Sequence, residues 1–577
     1  MKYSGSDSLY MTKKNEISSI LNSCDNLFEI FNYHLAKTPY QKVFFKKEKI
    51  WDSSNFIETS KRIKKISFFL IKNRIKKGDR VFLLSNNRIE WVEFDLAIMV
   101  SGGVTVPSFV TNNTTDNEFI IKDCQPKFIV LEDEKVFKKN KKFLNKFKNK
   151  IILIEPSENF TDYKEITSHK DKQIKKITVN KEDISSIIYT SGTTGNPKGV
   201  ILTHKSIMHN LQGAIELIND FNLKNERFFS FLPLSHSYER MAGLYFPILI
   251  GAEIYFCSTT DKLLSEIKEV KPTILSAVPR LYENIFKKIK FQINKTNFLV
   301  SYLLKKTFLL IENNPKENIN FFVKFLVTIF LKYILKKKVL NIFGKKIKVL
   351  ISGGAALNPD VGIFFNKLGI SLLQGYGQTE ASPLISCNRK KNNDPYTVGQ
   401  PVKDVKVKIS NNGEILVSGD NLMQGYWKSK KLTNETLKCG WLHTGDLGKI
   451  DEQGRIIITG RKKELIVTSG GENISSQKIE NMLLSFDEIS HAIVYGDGKP
   501  FLIALIKLND DYKKTDVKKL IQALNCNLNS IEKIRKFIVM DLEPTYENGL
   551  MTQTMKLKKK KIFLRYKKEI GRLYGNL

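Results

Sequence analysis

Residues Asp183 to Gly199 read DISSIIYTSGTTGNPKG. The apolar, β-branched run Ile184 to Tyr189 has strand character. The stretch after it is dense in Gly, Ser and Thr, and Thr203-His204-Lys205-Ser206 then opens a helical pattern. Glycine lets backbone N–H groups approach an anion closely, hydroxyls donate further hydrogen bonds, and Lys198 adds a compact positive charge. The segment therefore reads as a phosphate cradle, with Thr190, Ser191, Gly192, Thr193, Thr194 and Gly195 as its binding residues. It is not the P-loop of nucleoside triphosphatases: Lys198 is followed by Gly199 rather than Ser or Thr, and the G-x-x-x-x-G-K spacing is missing. An ordinary flexible surface loop is the plainer alternative, and the length of the ordered string argues against it.

Working outward, Leu27 to about Gly251 alternates short apolar runs with helix-like stretches. Arg80 to Ser85 (RVFLLS), Glu90 to Val100 (EWVEFDLAIMV) and Val104 to Phe109 (VTVPSF) are an example. Strand and helix in alternation predict an α/β fold with parallel sheets covered on both faces. Glu414 to Ile458 is rich in strand and turn signals and predicts a small β-rich subdomain, after which shorter α/β elements lead to the basic tail Lys556 to Lys568. The simplest division is a large domain of parallel and mixed sheets over residues 1–462 and a small α+β domain over residues 463–577.

Within the large domain, residues 287–348 form a Lys- and Phe-rich insert with apolar residues at helical spacing, centred on Phe321 to Leu335 and followed by Lys336, Lys337 and Lys338. Its centre is too short and too charged to span a bilayer. It reads either as an amphipathic helix packed on its own domain or as a peripheral contact with an anionic membrane.

With 577 residues and 42% hydrophobic residues, the chain exceeds the size of a single small binding module and is neither fibrous nor disordered. The net charge of +34 comes from 80 Lys and only 13 Arg against 59 acidic residues. Phosphate-reading surfaces lean on Arg, so codon-driven drift explains this balance more simply than a polyanionic partner, and no nucleic acid is expected. Six scattered cysteines, without a CxxC pair, fit a reducing compartment. No window reaches the ~18 uninterrupted apolar residues of a membrane span, and no apolar leader opens the chain, so a cytoplasmic protein is expected.

Four further segments carry chemistry. They are Ser352-Gly353-Gly354-Ala355-Ala356, Gln374-Gly375-Tyr376-Gly377-Gln378-Thr379-Glu380, Gly440 to Asp446 (GWLHTGD) and Gly460-Arg461-Lys462-Lys463-Glu464. Tyr376 offers a flat ring for a purine, with flanking glycines leaving room. Asp446 has an acceptor-only carboxylate suited to the two hydroxyls of a ribose, and Arg461 is a fixed donor able to reach that ribose or a phosphate. With TSGTTGNPKG, and in this order, the segments resemble the adenylate-forming superfamily, whose members activate carboxylic acids with ATP. The likeness runs from about Asn87 to Lys558.

The resemblance implies residue roles. Thr379 hydrogen-bonds the α-phosphate, Glu380 holds Mg²⁺ with Thr190 as a second ligand, and Gly354, Ala355, Gln374 and Gly375 complete the nucleotide site. His236, in Pro233 to Arg240 (PLSHSYER), lies where the acid meets the α-phosphate. The stretch Glu547 to Lys558 (ENGLMTQTMKLK) resembles the loop that carries the family's catalytic lysine, which falls on Lys556. Gln553 stands where Pro is common, so Lys558 is the alternative register. Lys463 falls at the family's hinge, about which the small domain is mobile, and Gly471 on the path of the pantetheine arm.

FLPLSHSYER, the basic insert, SGGENIS and NGLMTQTMKLK together look most like bacterial long-chain fatty acid–CoA ligases. The implied reaction joins a long-chain fatty acid to CoA through acyl-AMP, using ATP and Mg²⁺. The alternatives are a ligase that loads an acyl carrier protein and a CoA ligase for an aryl or shorter-chain acid.

Overall fold

The computed structural model describes residues 15–169, 177–190, 197–218, 220–221, 223–293, 327, 329–512, 516–545, 548–551 and 556–575. Two large sheets organise the first part of the chain. In one, strands Ser371–Gly377, Val349–Ser352, Ile274–Ala277, Arg227–Ser230, Glu253–Phe256 and Lys42–Lys47 run parallel in that spatial order. Antiparallel strands close both of its edges. In the other, Ile184–Thr190 lies parallel to Val104–Ser108, which continues through Arg80–Leu84, Phe128–Leu131 and Ile151–Leu153. These strands are short, almost wholly apolar runs, as sheets buried on both faces require.

Between the sheets lies the helix Ile89–Val100, whose residues from Ile89 to Met99 are all buried, Trp91 and Phe94 among them. A helix apolar nearly all round has no face for solvent, which is why it occupies the middle layer. Its three buried acidic groups, Glu90, Glu93 and Asp95, are matched rather than stranded: Lys46 and Arg88 donate to Glu90, and Arg62 and Tyr163 donate to Glu93. Arg240 donates to Asp95 Oδ1, Tyr245 Oη donates to Oδ2 at 2.7 Å, and Thr105 Oγ1 donates to Oδ1 at 2.7 Å. Removing either charge would leave its partner ionised in the core, a change costing about 3–5 kcal/mol.

Glu414 to Ile458 folds as expected into an antiparallel sheet, Lys406–Ile409, Glu414–Ser418, Trp441–Ile450 and Leu437–Lys438, with Ile456–Arg461 paired to Trp441–Ile450. After Arg461 the chain enters the last unit. It comprises the hairpin Leu465–Val467 and Asn473–Ser475, a three-stranded sheet (Ile489–Tyr495, Leu502–Leu508, Ile534–Val539) and helices including Ser476–Leu484 and Val517–Asn525. Its apolar residues form their own clusters, so this unit carries its own core. The α/β class and the two-part architecture match the sequence reading.

The membrane-facing reading of the insert rests on Phe321 to Leu335, and residues 294–326 and 328 lie outside the described residues. Among the described residues no helix is long and apolar enough to cross a membrane. All six cysteines are free thiols.

Candidate active site

The phosphate-cradle strands Ile184–Thr190 and Lys198–Thr203 pair antiparallel, with Thr190 opposite Lys198. Ser191, Gly192, Thr193, Thr194 and Gly195 lie outside the described residues. The short strand Gly425–Tyr426 adds to the outer edge of Lys198–Thr203, so the Lys198 ammonium lies 5.5 Å from the Tyr426 ring centroid. Tyr426 Oη in turn donates to Glu380 Oε1 at 2.8 Å. Burial, then the nearby charge of Lys463, lowers the Lys198 pKa, while Glu380 opposes the shift. Thus Lys198, Glu380, Tyr426 and Lys463 share one electrostatic neighbourhood.

Glu380 stands in the 3₁₀ turn Thr379–Ala381 at the carboxyl end of strand Ser371–Gly377, the end at which open parallel sheets bind ligands. Backbone approach is tight here: a Cβ on Gly377 would fall 1.9 Å from the carbonyl oxygen of Pro383. The Thr379 hydroxyl lies 3.1 Å from that of Ser237, tying the turn to the His236 segment.

A few residues earlier, Tyr376 Oη donates to Asp446 Oδ2 at 2.7 Å, and Arg461 Nε donates to Asp446 Oδ1 at 2.9 Å. Asp446 and Arg461 are also register partners across their strands. Tyr376, Asp446 and Arg461 therefore form one hydrogen-bonded unit, with Asp446 buried and the Tyr376 phenol held neutral by burial and by the adjacent carboxylate. Gln374, two residues before Tyr376 on the same strand, is buried opposite Ser352, whereas Gly354 and Ala355 are exposed in the turn after strand Val349–Ser352. Gly354 has φ +82, a left-handed conformation that glycine adopts without strain.

His236 is the N-cap of the turn Ser237–Glu239, its Nδ1 accepting from the Tyr238 N–H at 3.2 Å. That bond leaves the ring proton on Nε2, so the imidazole is a neutral donor. Burial, reinforced by the charge of Lys556, lowers its pKa to about 4. Lys556 joins His236, Leu232, Tyr238, Val278 and Gly354 around a small cavity of about 10 Å³. Lys556 is solvent-exposed as a residue, yet desolvation of its ammonium beside the cavity and then repulsion from Arg461 lower that ammonium to about 8. Lys558 has other neighbours, Lys561 and Asp116. Leu232 and Val278 also border a cavity of about 970 Å³ whose apolar wall includes Phe109, Leu263, Leu281 and Ile285.

The arrangement brings together Lys198, Glu380, Thr379, Tyr376, Asp446, Arg461, His236, Gly354 and Lys556 from segments scattered over the chain. Gly471 stands apart: it lies in the turn of the hairpin Leu465–Val467 and Asn473–Ser475, φ +83, and nothing lies within 4 Å of where a Cβ would sit. Tyr426 and Ser237 were not singled out from the sequence. Tyr426 becomes visible only through strand pairing. Ser237 directly follows His236, and that adjacency was the available signal.

Mg²⁺ takes oxygen ligands and commonly uses one or two carboxylates, completing its shell with water and substrate phosphate. The Glu380 carboxylate and the Thr190 hydroxyl are such donors. Among the described residues no cluster of three or more His, Cys, Asp or Glu residues forms a dedicated metal cage. The donor set therefore fits an ion that arrives with a phosphorylated substrate.

Fold and site together define a two-domain α/β nucleotide-binding enzyme. The chain belongs to the AMP-binding enzyme family: residues 31–427 match the AMP-binding enzyme domain and residues 463–577 match the AMP-binding enzyme C-terminal domain. It is 28% identical to the long-chain-fatty-acid–CoA ligase FadD15 of Mycobacterium tuberculosis, over 91% of this chain and 93% of the relative. It is also 28% identical to the long-chain-fatty-acid–[acyl-carrier-protein] ligase AEE15 of Arabidopsis thaliana, over 87% of this chain and 80% of that protein. Among solved structures, ATP-bound MatB from Rhodopseudomonas palustris superposes with a TM-score of 0.75 at 21% identity, covering 94% of this chain and 99% of that one.

Proposed function

We propose that the protein activates a long-chain fatty acid with ATP and passes the acyl group to CoA. The observation that carries this reading is the meeting of Lys556 and His236 at Gly354, next to the Tyr376–Asp446–Arg461 unit. In the first step a carboxylate oxygen attacks the α-phosphate. The bond to the β-phosphate breaks, and pyrophosphate leaves with the electron pair. Tyr376 stacks on the adenine, and Asp446 accepts from the ribose hydroxyls. The Thr379 hydroxyl donates to the α-phosphate, and Lys198 faces the phosphates across the cradle. Mg²⁺, held by Glu380 and Thr190, would offset negative charge on the phosphates. Lys556 and the His236 Nε2–H face the carboxylate, where preformed donors stabilise charge that develops in the transition state.

In the second step a thiol attacks the acyl carbon, the acyl–phosphate bond breaks, and AMP leaves. The long-chain assignment is supported by the relatives and by the apolar wall of the adjoining cavity. The similarity to an acyl-carrier-protein ligase favours a second acceptor, the phosphopantetheine thiol of a carrier protein. Pyrophosphate exchange across acids from short to long, followed by AMP release with CoA or holo carrier protein as acceptor, tests both assignments. Exchange confined to aryl or short acids would overturn the long-chain reading, and AMP release with the carrier alone would overturn CoA.

A further inference from the structure

The helix Pro279–Ile293 packs its apolar side, including Tyr282, Ile285 and Ile289, into the core of the large domain. Arg280, Glu283, Lys287 and Lys290 recur on the other side at helical spacing of three and four residues. Three of these meet the small domain. Lys287 Nζ donates to the carbonyl oxygen of Ile489 at 3.0 Å, and Lys290 Nζ lies 3.4 Å from Asp487 Oδ2. The Arg280 guanidinium reaches Met551 Sδ at 3.9 Å and feels the charge of Glu543, whose carboxylate lies 3.2 Å from His491 Nδ1. Ile489 and His491 open one strand of the small-domain sheet, Asp487 lies in the turn just before it, and Met551 lies five residues before Lys556.

We propose that this seam is a latch: the basic side of Pro279–Ile293 holds the small domain in the orientation that places Lys556 at His236. The proposal rests on the functional reading above and adds positioning residues to it. The linker after Arg461 leaves the small domain's orientation to surface contacts, and in this arrangement the seam supplies donors aimed at acceptors. Lys287 and Lys290 also border the 970 Å³ cavity on the side closed by Asp487 and Asn509, so releasing the seam opens that cavity. The latch therefore favours adenylation and must let go for the acceptor thiol to enter.

The test uses the full-length chain carrying Lys290→Glu, Asp487→Lys and the double reversal, with Lys287→Met as a neutral removal of one donor. Lys290 and Asp487 are about one-third exposed, so each reversal is tolerated by the fold, which a melting curve checks. Pyrophosphate exchange is expected to fall ~5-fold in each single reversal and to recover in the double. Thioester formation from preformed acyl-adenylate is expected to hold steady or rise. Without any substrate, trypsin cleavage at Arg461 to Lys463 is expected to quicken in the single variants and in Lys287→Met, and to return to the wild-type rate in the double reversal. Equal loss of both half-reactions, unchanged cleavage, or no recovery in the double reversal would overturn the latch. Failure of the wild-type chain to catalyse exchange with any acid would instead overturn the functional reading, leaving the proteolysis comparison to decide the latch.

Discussion

Tyr376 and Asp446, 70 residues apart in the chain, share a 2.7 Å hydrogen bond that joins the large parallel sheet to the antiparallel sheet beside it. Tyr376→Phe keeps the ring and removes the donor, leaving Asp446 held by Arg461 alone. KM for ATP is expected to rise ~10-fold with kcat nearly unchanged, the size expected from losing one buried hydrogen bond to a charged group. Steady-state kinetics in ATP check this, and an unchanged KM would show that the phenol does not orient Asp446.

Lys556 and Lys558 make a clean comparison because only Lys556 borders the cavity with His236. Lys556→Ala is expected to lower pyrophosphate exchange by ~10²–10³, the usual cost of losing one preorganised donor. Lys558→Ala should stay within a few-fold of wild type. The reverse ranking would shift the register of the tail loop.

The first half-reaction should also depend on pH through Lys556. Its ammonium is depressed to about 8, so the charged form needed for adenylation is present below that value and is lost as pH rises through it. The pyrophosphate-exchange rate, measured from pH 6 to 10, is expected to fall with an apparent pKa near 8, and residual exchange in Lys556→Ala should lack that limb.

His204 is 1% exposed, and its Nδ1 accepts from the Leu27 N–H at 3.3 Å. Burial lowers its pKa to about 4, whereas an unfolded histidine titrates near ~6.5. Between these values the unfolded chain binds the extra proton, so this group costs stability as pH falls through that window. Buried Glu239, raised to about 8, acts in the opposite sense, gaining stability for the fold as pH falls towards the unfolded carboxyl range. Comparing the melting temperatures of wild type and His204→Gln from pH 7 to 4.5 isolates the histidine. The gap between the two proteins should narrow as pH falls, and a constant gap would contradict the assignment.

Gly377→Ala is expected to destabilise by roughly 1–3 kcal/mol, because the new Cβ meets a backbone carbonyl that cannot step aside. Denaturant unfolding measures it. A neutral effect would mean that the Thr379–Ala381 turn yields to the added methyl.

The sequence was most legible where local chemistry and local structure coincide. Ile184 to Tyr189, Arg80 to Ser85 and Val104 to Phe109 were readable as strands because short, mostly apolar runs alternating with helix-like stretches leave a buried parallel strand as the natural outcome. Tyr376, Asp446 and Arg461 stand out in the sequence as candidates for a nucleotide site, but their mutual hydrogen bonds do not, since pairing across 70 residues leaves no trace in either segment alone. Tyr426 was missed for the same reason: its role comes from a two-residue edge strand placed against Lys198–Thr203. Gly471 was marked through resemblance for a path to the thiol, but in this arrangement it faces open space on a hairpin of the small domain. The lysines of Pro279–Ile293 were hidden among the 80 of the whole chain, and only the fold shows which of them have acceptors.

Arg461 is both the last residue of the strand that pairs with Asp446 and the point from which the small domain departs. A body tethered there swings about a fixed pivot. In a rotation about that point, atoms close to the pivot would stay beside Asp446, while those at the far end of the small domain would sweep the longest arc. Under the proposed function, geometry of this kind would let the protein exchange one reactive face for another without loosening its grip on the nucleotide half of the intermediate, which would make release of that half the natural last event of a turnover.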